Sequence, residues 1–203
     1  MKKKFLVLLF LTAGKDFPTT VIDDVGMTVV ISRKPERIIS IAPSNTEIIF
    51  ELGLSKNLIG VSDICDYPKA AKSKEVASSF QSPNIEKILA LKPDLVLCAG
   101  GVQKDIALKL VGLNIPAITL YPKNLDQVLG DIVIIGKACG KEKEALLRME
   151  KLKERIEDIK YKVSNSTKPR VYFEIWNSPF TSAGNGSFID ELITLAGGEN
   201  IMH

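Results

Sequence analysis

Few residues in this sequence have the types and spacing that catalysis requires. The only histidine is His203, the last residue, so a Ser–His or Cys–His pair would have to use the end of the chain. No GxGxxG motif follows the first strand-like run, no Walker A motif is present, and no GxSxG elbow surrounds Ser44. The pair Gly100-Gly101 alone is weak evidence for phosphate binding. An enzyme built on a Rossmann-like domain is therefore the disfavoured alternative, and we expect no catalytic residues.

The three cysteines, Cys65, Cys98 and Cys139, lie far apart and form no CxxC pair. Because the one histidine is at the end of the chain, they make a weak metal site, and we predict no bound metal and no cofactor. An odd number of cysteines in an exported protein leaves at least one thiol free or intermolecular. Buried free cysteines are the commoner explanation for such a pattern, although the sequence does not fix their redox state.

The composition is that of an ordinary globular protein. The 203 residues are 45% hydrophobic and 25% charged, with a net charge of +3. Such a length suggests one domain of about 120–150 residues plus a smaller part. No basic stripe with interleaved aromatic residues occurs, so a nucleic-acid partner is disfavoured.

The N-terminus has the pattern of an export signal over residues 1–14. Three lysines at 2–4 precede a seven-residue apolar run at 5–11, and small residues follow at 12–14. A buried N-terminal strand or helix is the alternative. The apolar run is too short to span a bilayer. Because the pattern is that of an export signal, we expect an exported protein in the periplasm or at the extracytoplasmic surface.

A strand, a sharp turn and a helix follow one another near the start of the mature sequence. Apolar residues at 38–42 predict a strand that is buried on both faces of a parallel sheet, and Pro43 ends it. Ser44 and Glu47 have the spacing of a capping box, and Gly53 is placed to end the helix. This predicts helix N–H groups at the carboxyl edge of the sheet, where ligands bind in open α/β folds.

Strand-like and helix-like segments then alternate, which predicts βαβ units and a parallel sheet, with a polar loop from the end of the second strand to Ser82. Asn84 and Asn124 are predicted to cap two of the helices. The predicted segments are a hairpin at 21–31, strands at 58–62, 94–99 and 115–121, and helices at 85–91, 104–111 and 125–139.

The pattern changes at residues 141–163, which contain neither glycine nor proline. The spacing of their apolar residues by three and four predicts one helix of about 33 Å that crosses a domain or joins two; a coiled-coil segment is the alternative. A strand at 170–176, a loop at 177–186 and a helix at 188–196 are predicted next. One strand and one helix cannot bury a core by themselves, so they either dock on the first domain or begin a second one.

Four segments together resemble one family. They are PERIISIAPSNTEIIFELG at 35–53, GVSDICDYP at 60–68, SPNIEKILALKPDLVL at 82–97 and SPFTSAGNGSFIDELITLAGGENI at 178–201. This is similar to the cobalamin- and iron-siderophore-type solute-binding proteins of bacterial ABC importers. The resemblance implies an α/β fold of two Rossmann-like lobes, joined by a long helix, with the ligand between the lobes.

The resemblance also implies a division of the chain. The first, ligand-binding lobe would occupy residues 20–140, with a parallel sheet and a β-hairpin, and the connector helix would occupy 141–163. Residues 169–203 would begin a second α/β lobe, of which relatives have roughly another 70–80 residues. A truncated relative that binds poorly is therefore an alternative to a working binding protein.

By the same resemblance, the ligand would be a metal chelate: cobalamin, a ferric siderophore or haem. Phe80 and Phe180 match aromatic positions that pack on the ligand, whereas Ile64 and Ala99 replace aromatic residues, which weakens cobalamin relative to a siderophore or haem. Capping alone would explain Ser44. The implied ligand-binding residues are Pro43, Ser44, Asn45, Ile64, Phe80, Ala99, Gly100 and Phe180.

The permease in the membrane is the implied partner. Glu86 matches a first-lobe glutamate that docks into arginine pockets of the permease, although a first-turn glutamate is also favoured by the helix dipole alone. The matching glutamate of the second lobe would lie beyond residue 203. With a complete second lobe we expect a monomer. Lys15 stands where a lipidated cysteine would be, so lipid attachment is not supported.

Overall fold

The computed structural model describes residues 17–202, except the side chain of Val102. The export signal predicted at residues 1–14 lies outside this range. The described chain begins with an antiparallel hairpin of strands β1 (Thr19–Ile22) and β2 (Thr28–Ile31), in which Val21 faces Val29. The hairpin predicted at 21–31 is therefore confirmed, although its first strand begins earlier.

The centre of the fold is a five-stranded parallel sheet. Its strands are β3 (Ile38–Ser40), β4 (Leu58–Ser62), β5 (Glu75–Ser78), β6 (Leu95–Ala99) and β7 (Ala117–Leu120). Their order across the sheet is β5-β4-β3-β6-β7, and every neighbouring pair is parallel. The apolar runs that predicted β3, β6 and β7 form buried strands, as expected for a sheet that is covered on both faces.

Four helices cover the two faces of this sheet. They are α1 (Pro43–Glu51), α2 (Ile85–Ala90), α3 (Lys104–Gly112) and α4 (Leu125–Ala138). Helices α1 and α4 pack with the hairpin on one face, and α2 and α3 pack on the other. The predicted caps are confirmed: the side chain of Asn84 accepts a hydrogen bond from the Lys87 N–H, and that of Asn124 accepts one from the Gln127 N–H.

Two local predictions for this region are wrong. The capping box does not form, because Pro43 occupies the first helical turn and moves Ser44 inside the helix, with Ala42 as the N-cap and no side-chain cap. The predicted loop before Ser82 contains a 3-10 helix (Lys69–Ser73) and the edge strand β5. Strand β5 is short and half exposed, so it has no apolar run that would reveal it.

The long helix is α5 (Glu142–Val163), whose 22 residues give a length of about 33 Å. It confirms the helix predicted from apolar spacing. It packs closely on α4, where a Cβ atom on Gly136 would collide with the Ala145 side chain. Arg148 of α5 also forms an exposed ion pair with Glu51 of α1.

The remaining residues form two small sheets beside one helix. Strand β8 (Arg170–Val171) pairs in parallel with β11 (Glu199–Asn200), and β9 (Glu174–Asn177) pairs with β10 (Phe180–Ser182) as a hairpin. Helix α6 (Phe188–Leu195) confirms the helix predicted at 188–196, and Ser187 caps it. The single strand predicted at 170–176 is wrong, because it is split between the two sheets, and the loop predicted at 177–186 contains β10.

Candidate functional site

The carboxyl ends of the five parallel strands meet at one edge of the sheet, which we call the ligand edge. Strand β3 leads into α1 on one face, whereas β6 leads into α3 on the opposite face. The chain therefore changes direction between β3 and β6, and open α/β sheets bind ligands at such a switch point. The residues of this edge are those that follow β3, β4, β5, β6 and β7.

Two buried amide side chains fill the crevice at the switch point. The Asn45 Nδ2 donates to the Cys98 carbonyl at 3.1 Å, and the Gln103 Nε2 donates to the Ile41 carbonyl at 2.8 Å. The Gln103 Oε1 accepts from the Ala99 N–H at 2.7 Å. Both amides are almost wholly buried. They join the ends of β3 and β6 from within, so the surface open to a ligand lies on top of the edge.

Phe80 lies on the loop after β5, half buried, with its backbone held by two side chains. Its N–H donates to Asp63 Oδ1 at 2.9 Å, and its carbonyl accepts from Gln103 Nε2 at 3.0 Å. The hydrogen bond from the Phe80 N–H, with a smaller contribution from the side chain of Ser79, holds the pKa of Asp63 below its usual value. The Asp63 carboxylate is therefore charged at neutral pH, and it remains a strong acceptor for the loop.

Tyr121 supplies an aromatic ring at this edge that the sequence interpretation missed. It directly follows β7, is 48% exposed, and packs so closely on Gly100 that a Cβ atom there would overlap the ring. The Lys123 ammonium lies 3.1 Å from the ring centroid, a cation–π contact. The Tyr121 N–H donates to Asp24 of the hairpin. The sequence signal that could have identified Tyr121 is an aromatic residue directly after a buried strand.

The other sequence-predicted residues fall into two places. At the ligand edge, Ile64 is 50% exposed after β4, Pro43 and Ala99 are half buried, and Ser44 is exposed. Phe180 is 79% exposed on β10, which does not pair with the five-stranded sheet. The structure therefore brings together seven of the eight predicted ligand-binding residues, namely Pro43, Ser44, Asn45, Ile64, Phe80, Ala99 and Gly100.

Glu86 lies at the rim of the same edge, in the exposed first turn of α2. The start of this helix is tied to the end of β5, because the Asn84 N–H donates to Ser78 Oγ at 3.1 Å. The first turn that carries Glu86 is therefore held beside the ligand edge, and its exposed side chain is accessible to a partner.

The cysteines are not part of this surface. All three are free and buried, as predicted. Burial raises the pKa of Cys98 and of Cys139 to about 12, so these thiols remain protonated at neutral pH and are poor nucleophiles. Within residues 17–202, no group of three or more His, Cys, Asp or Glu side chains is placed to hold a metal ion. No helix of the described chain is long and apolar enough to cross a bilayer.

Sequence and structure comparisons agree with this geometry. The periplasmic binding protein family matches residues 38–203, most of the chain. The chain belongs to the periplasmic binding protein family. The chain is 32% identical, over 180 residues, to the vitamin B12-binding protein of Yersinia pestis (strain Pestoides F). The match covers 87% of the chain and 64% of that relative, so the chain spans less than two thirds of the relative's length.

Two solved structures share the fold of this chain. The periplasmic vitamin B12-binding protein of Vibrio cholerae is 30% identical, with a TM-score of 0.71 over 83% of this chain and 66% of the other. A possible iron-binding periplasmic solute-binding protein of Staphylococcus epidermidis is 26% identical, with a TM-score of 0.73 over 83% of this chain and 67% of the other. The predicted α/β fold and the predicted family resemblance are therefore confirmed.

Proposed function

We propose that this chain is a solute-binding component of an ABC importer and binds a metal chelate on the ligand edge. The observation that carries the proposal is the set of partly exposed apolar groups at that edge: Phe80 and Tyr121 are aromatic, and Ile64 is an exposed aliphatic residue on the loop after β4. Aromatic rings of this kind suit flat, largely apolar ligands such as a corrin, a porphyrin or a catecholate complex.

The filled crevice supports a binding role over nucleotide chemistry. A dinucleotide needs backbone N–H groups that it can approach at the switch point. Here Asn45 and Gln103 occupy that space and are bonded to the Cys98 and Ile41 carbonyls. A chelate that rests on top of the edge needs no such access.

The chemistry of the edge favours an anionic chelate over cobalamin. Ile64 and Ala99 offer less aromatic area than the aromatic residues expected for cobalamin, whereas the Lys123 ammonium lies on the Tyr121 ring. A cation beside an aromatic surface suits the carboxylates of haem or the charge of a ferric siderophore. We therefore place haem and ferric siderophores ahead of cobalamin as ligands.

The proposal includes export and docking on a permease. The similar vitamin B12-binding protein of Vibrio cholerae is periplasmic, which supports an extracytoplasmic location for this chain. Glu86 is exposed at the rim of the ligand edge, where a carboxylate can meet arginines of a membrane partner. Phe180 on β10 would approach the same ligand from the second lobe.

Ligand titration tests the binding proposal. Haem, a ferric catecholate siderophore and cobalamin are titrated into the chain, with NAD and ATP as controls, and thermal stability and absorbance are recorded. We expect at least one chelate to raise the melting temperature, because a ligand that binds only the folded state stabilises it. Stabilisation by NAD or ATP, and by none of the chelates, would contradict the proposal.

Uptake measurements test the docking proposal separately. In proteoliposomes that contain the permease, Glu86→Ala should reduce stimulated uptake at least several-fold and leave chelate affinity unchanged, because only the docking carboxylate is lost. Glu154→Ala, which removes another exposed helix glutamate, is the matched control. Equal uptake by the wild type and the Glu86→Ala variant would exclude docking through this residue.

A further inference from the structure

We propose that Asp63 and Gln103 are positioning residues that hold the backbone of Phe80 from two sides and thereby fix its ring at the ligand edge. This inference rests on the proposed function, because it assigns a role to residues that support the same ligand surface. Neither residue was identified from the sequence. Both act on backbone atoms of a loop rather than on the ligand.

The backbone of Phe80 depends on these two side chains. Phe80 lies beyond the end of β5, so the ladder of the sheet does not hold it. Among the described residues, its N–H and carbonyl make no backbone–backbone hydrogen bond. They instead bond to Asp63 Oδ1 at 2.9 Å and to Gln103 Nε2 at 3.0 Å. A loop that is held by side chains moves when those side chains are removed.

Gln103 connects this peripheral loop to the middle of the sheet. Its side chain accepts from the Ala99 N–H at the end of β6 and donates to the Ile41 carbonyl just after β3. The same Nε2 reaches the Phe80 carbonyl, beyond the edge strand β5. In the sheet order β5-β4-β3-β6-β7, the side chain thus spans from β6 to the loop after β5. The rigid central strands therefore set the position of Phe80.

The side-chain chemistry of Gln103 fits all three bonds at once. The site requires one hydrogen-bond acceptor and two donors, and an amide supplies all three. An ionised carboxylate has no donor, and a thioether sulfur is only a weak acceptor. Gln103 is wholly buried, so water cannot replace these bonds when they are lost. Asp63 is exposed, and water competes with its bond to Phe80. We therefore expect Gln103 to have the larger effect on the ring.

A double-mutant cycle on chelate affinity tests this role. Gln103→Met keeps the size of the side chain and removes its hydrogen bonds, and Phe80→Ala removes the ring that it positions. We expect Gln103→Met to weaken binding of haem about tenfold when Phe80 is present and less than twofold in the Phe80→Ala background, because coupled residues are non-additive. Thr46→Val is the control, since Thr46 makes buried hydrogen bonds to Ser40, Ala42 and Cys65 and none to Phe80.

Hydrogen exchange supplies a readout that needs no ligand. The exchange rate of the Phe80 amide should rise about tenfold in Asp63→Ala, an exposed substitution that leaves the core intact, and remain as in the wild type in Thr46→Val. If no chelate binds the wild type, the proposed function fails while this measurement still decides the positioning role. Unchanged Phe80 exchange in both Asp63→Ala and Gln103→Met, or equal affinity losses in the two backgrounds of the cycle, would overturn the inference.

Discussion

The sheet lobe at residues 17–140 and the C-terminal segment at 164–202 use similar apolar sequences with different results. The run DLVLCA becomes the buried strand β6, whereas RVYFEIW is split between two small sheets. Every residue of β9 is exposed, and Trp176 is 63% exposed. Apolar strand-like sequences therefore predict extended backbone in both regions, but only layers of helix on both faces of a sheet produce a core.

The lobe and the C-terminal segment also differ in their exposed apolar surfaces. In the lobe, the buried hydrogen bonds of Gln103 hold the loop that carries the half-buried Phe80 at the ligand edge. In the C-terminal segment, a groove of about 430 Å³ lies between β8 and α6, with mostly apolar walls that include Val171, Phe173 and Leu192. The first surface is built by a rigid sheet, and the second by elements that bury little.

The comparison is tested most strongly by removing one apolar side chain from each region. Leu97 in β6 is wholly buried, so Leu97→Ala should lower the free energy of unfolding by about 2–5 kcal/mol. Ile175 in β9 is 48% exposed, and Ile175→Ala should change it by less than about 0.5 kcal/mol. Urea denaturation measures both values. Equal losses would show that the C-terminal segment is packed as tightly as the lobe.

A buried carboxyl group in the lobe gives the next largest effect. Burial, reinforced by the nearby Asp24 carboxylate, raises the pKa of Asp131 to about 8, compared with about 3.9 in an unfolded chain. The unfolded state therefore loses its proton first as the pH rises. Stability falls from about pH 4 to pH 8, by at most about 1.4 kcal/mol per pH unit, and levels off above the folded-state pKa.

Asp131→Asn removes this pH dependence. The variant should gain stability relative to the wild type as the pH rises from 5 to 7, by at most about 2.7 kcal/mol. Denaturation curves at a series of pH values measure the difference. Glu174→Gln, on the exposed strand β9, is the control from the other region and should stay within about 0.5 kcal/mol of the wild type. A constant difference between Asp131→Asn and wild type across this range would contradict the assignment.

Substitutions at the contact between α4 and α5 test how tightly the long helix packs on the lobe. Gly136→Ala should destabilise by about 1–3 kcal/mol, because its Cβ would collide with the Ala145 side chain. Gly130→Ala in the same helix is the matched control, since nothing lies within 4 Å of its added Cβ. That change should stabilise by about 0.5–1 kcal/mol through helix propensity. Thermal unfolding resolves these opposite signs, and stabilisation by both would refute the close contact.

The sequence predicted those elements whose buried residues form a recognisable apolar pattern along the chain. Local patterns could be recognised without the three-dimensional structure. They include the apolar runs of β6 and β7, the asparagine caps and the apolar stripe of α5. Strand β5 was missed because half of its residues are exposed, so its sequence contains no apolar run that would indicate a strand. Asp63 and Gln103 were missed for a related reason: their partners are 17 and 23 residues away, and no spacing reveals such bonds.

The location of the ligand is the central claim, and chemical-shift mapping tests it most directly. The isotope-labelled chain is titrated with cobalamin and with gallium protoporphyrin, a diamagnetic substitute for haem, and each backbone amide is followed by NMR. We predict that the largest shifts occur at Ile64, Phe80, Gly100 and Tyr121 on the ligand edge. Shifts confined to the groove beside Val171 and Leu192, with the ligand edge unchanged, would contradict the account.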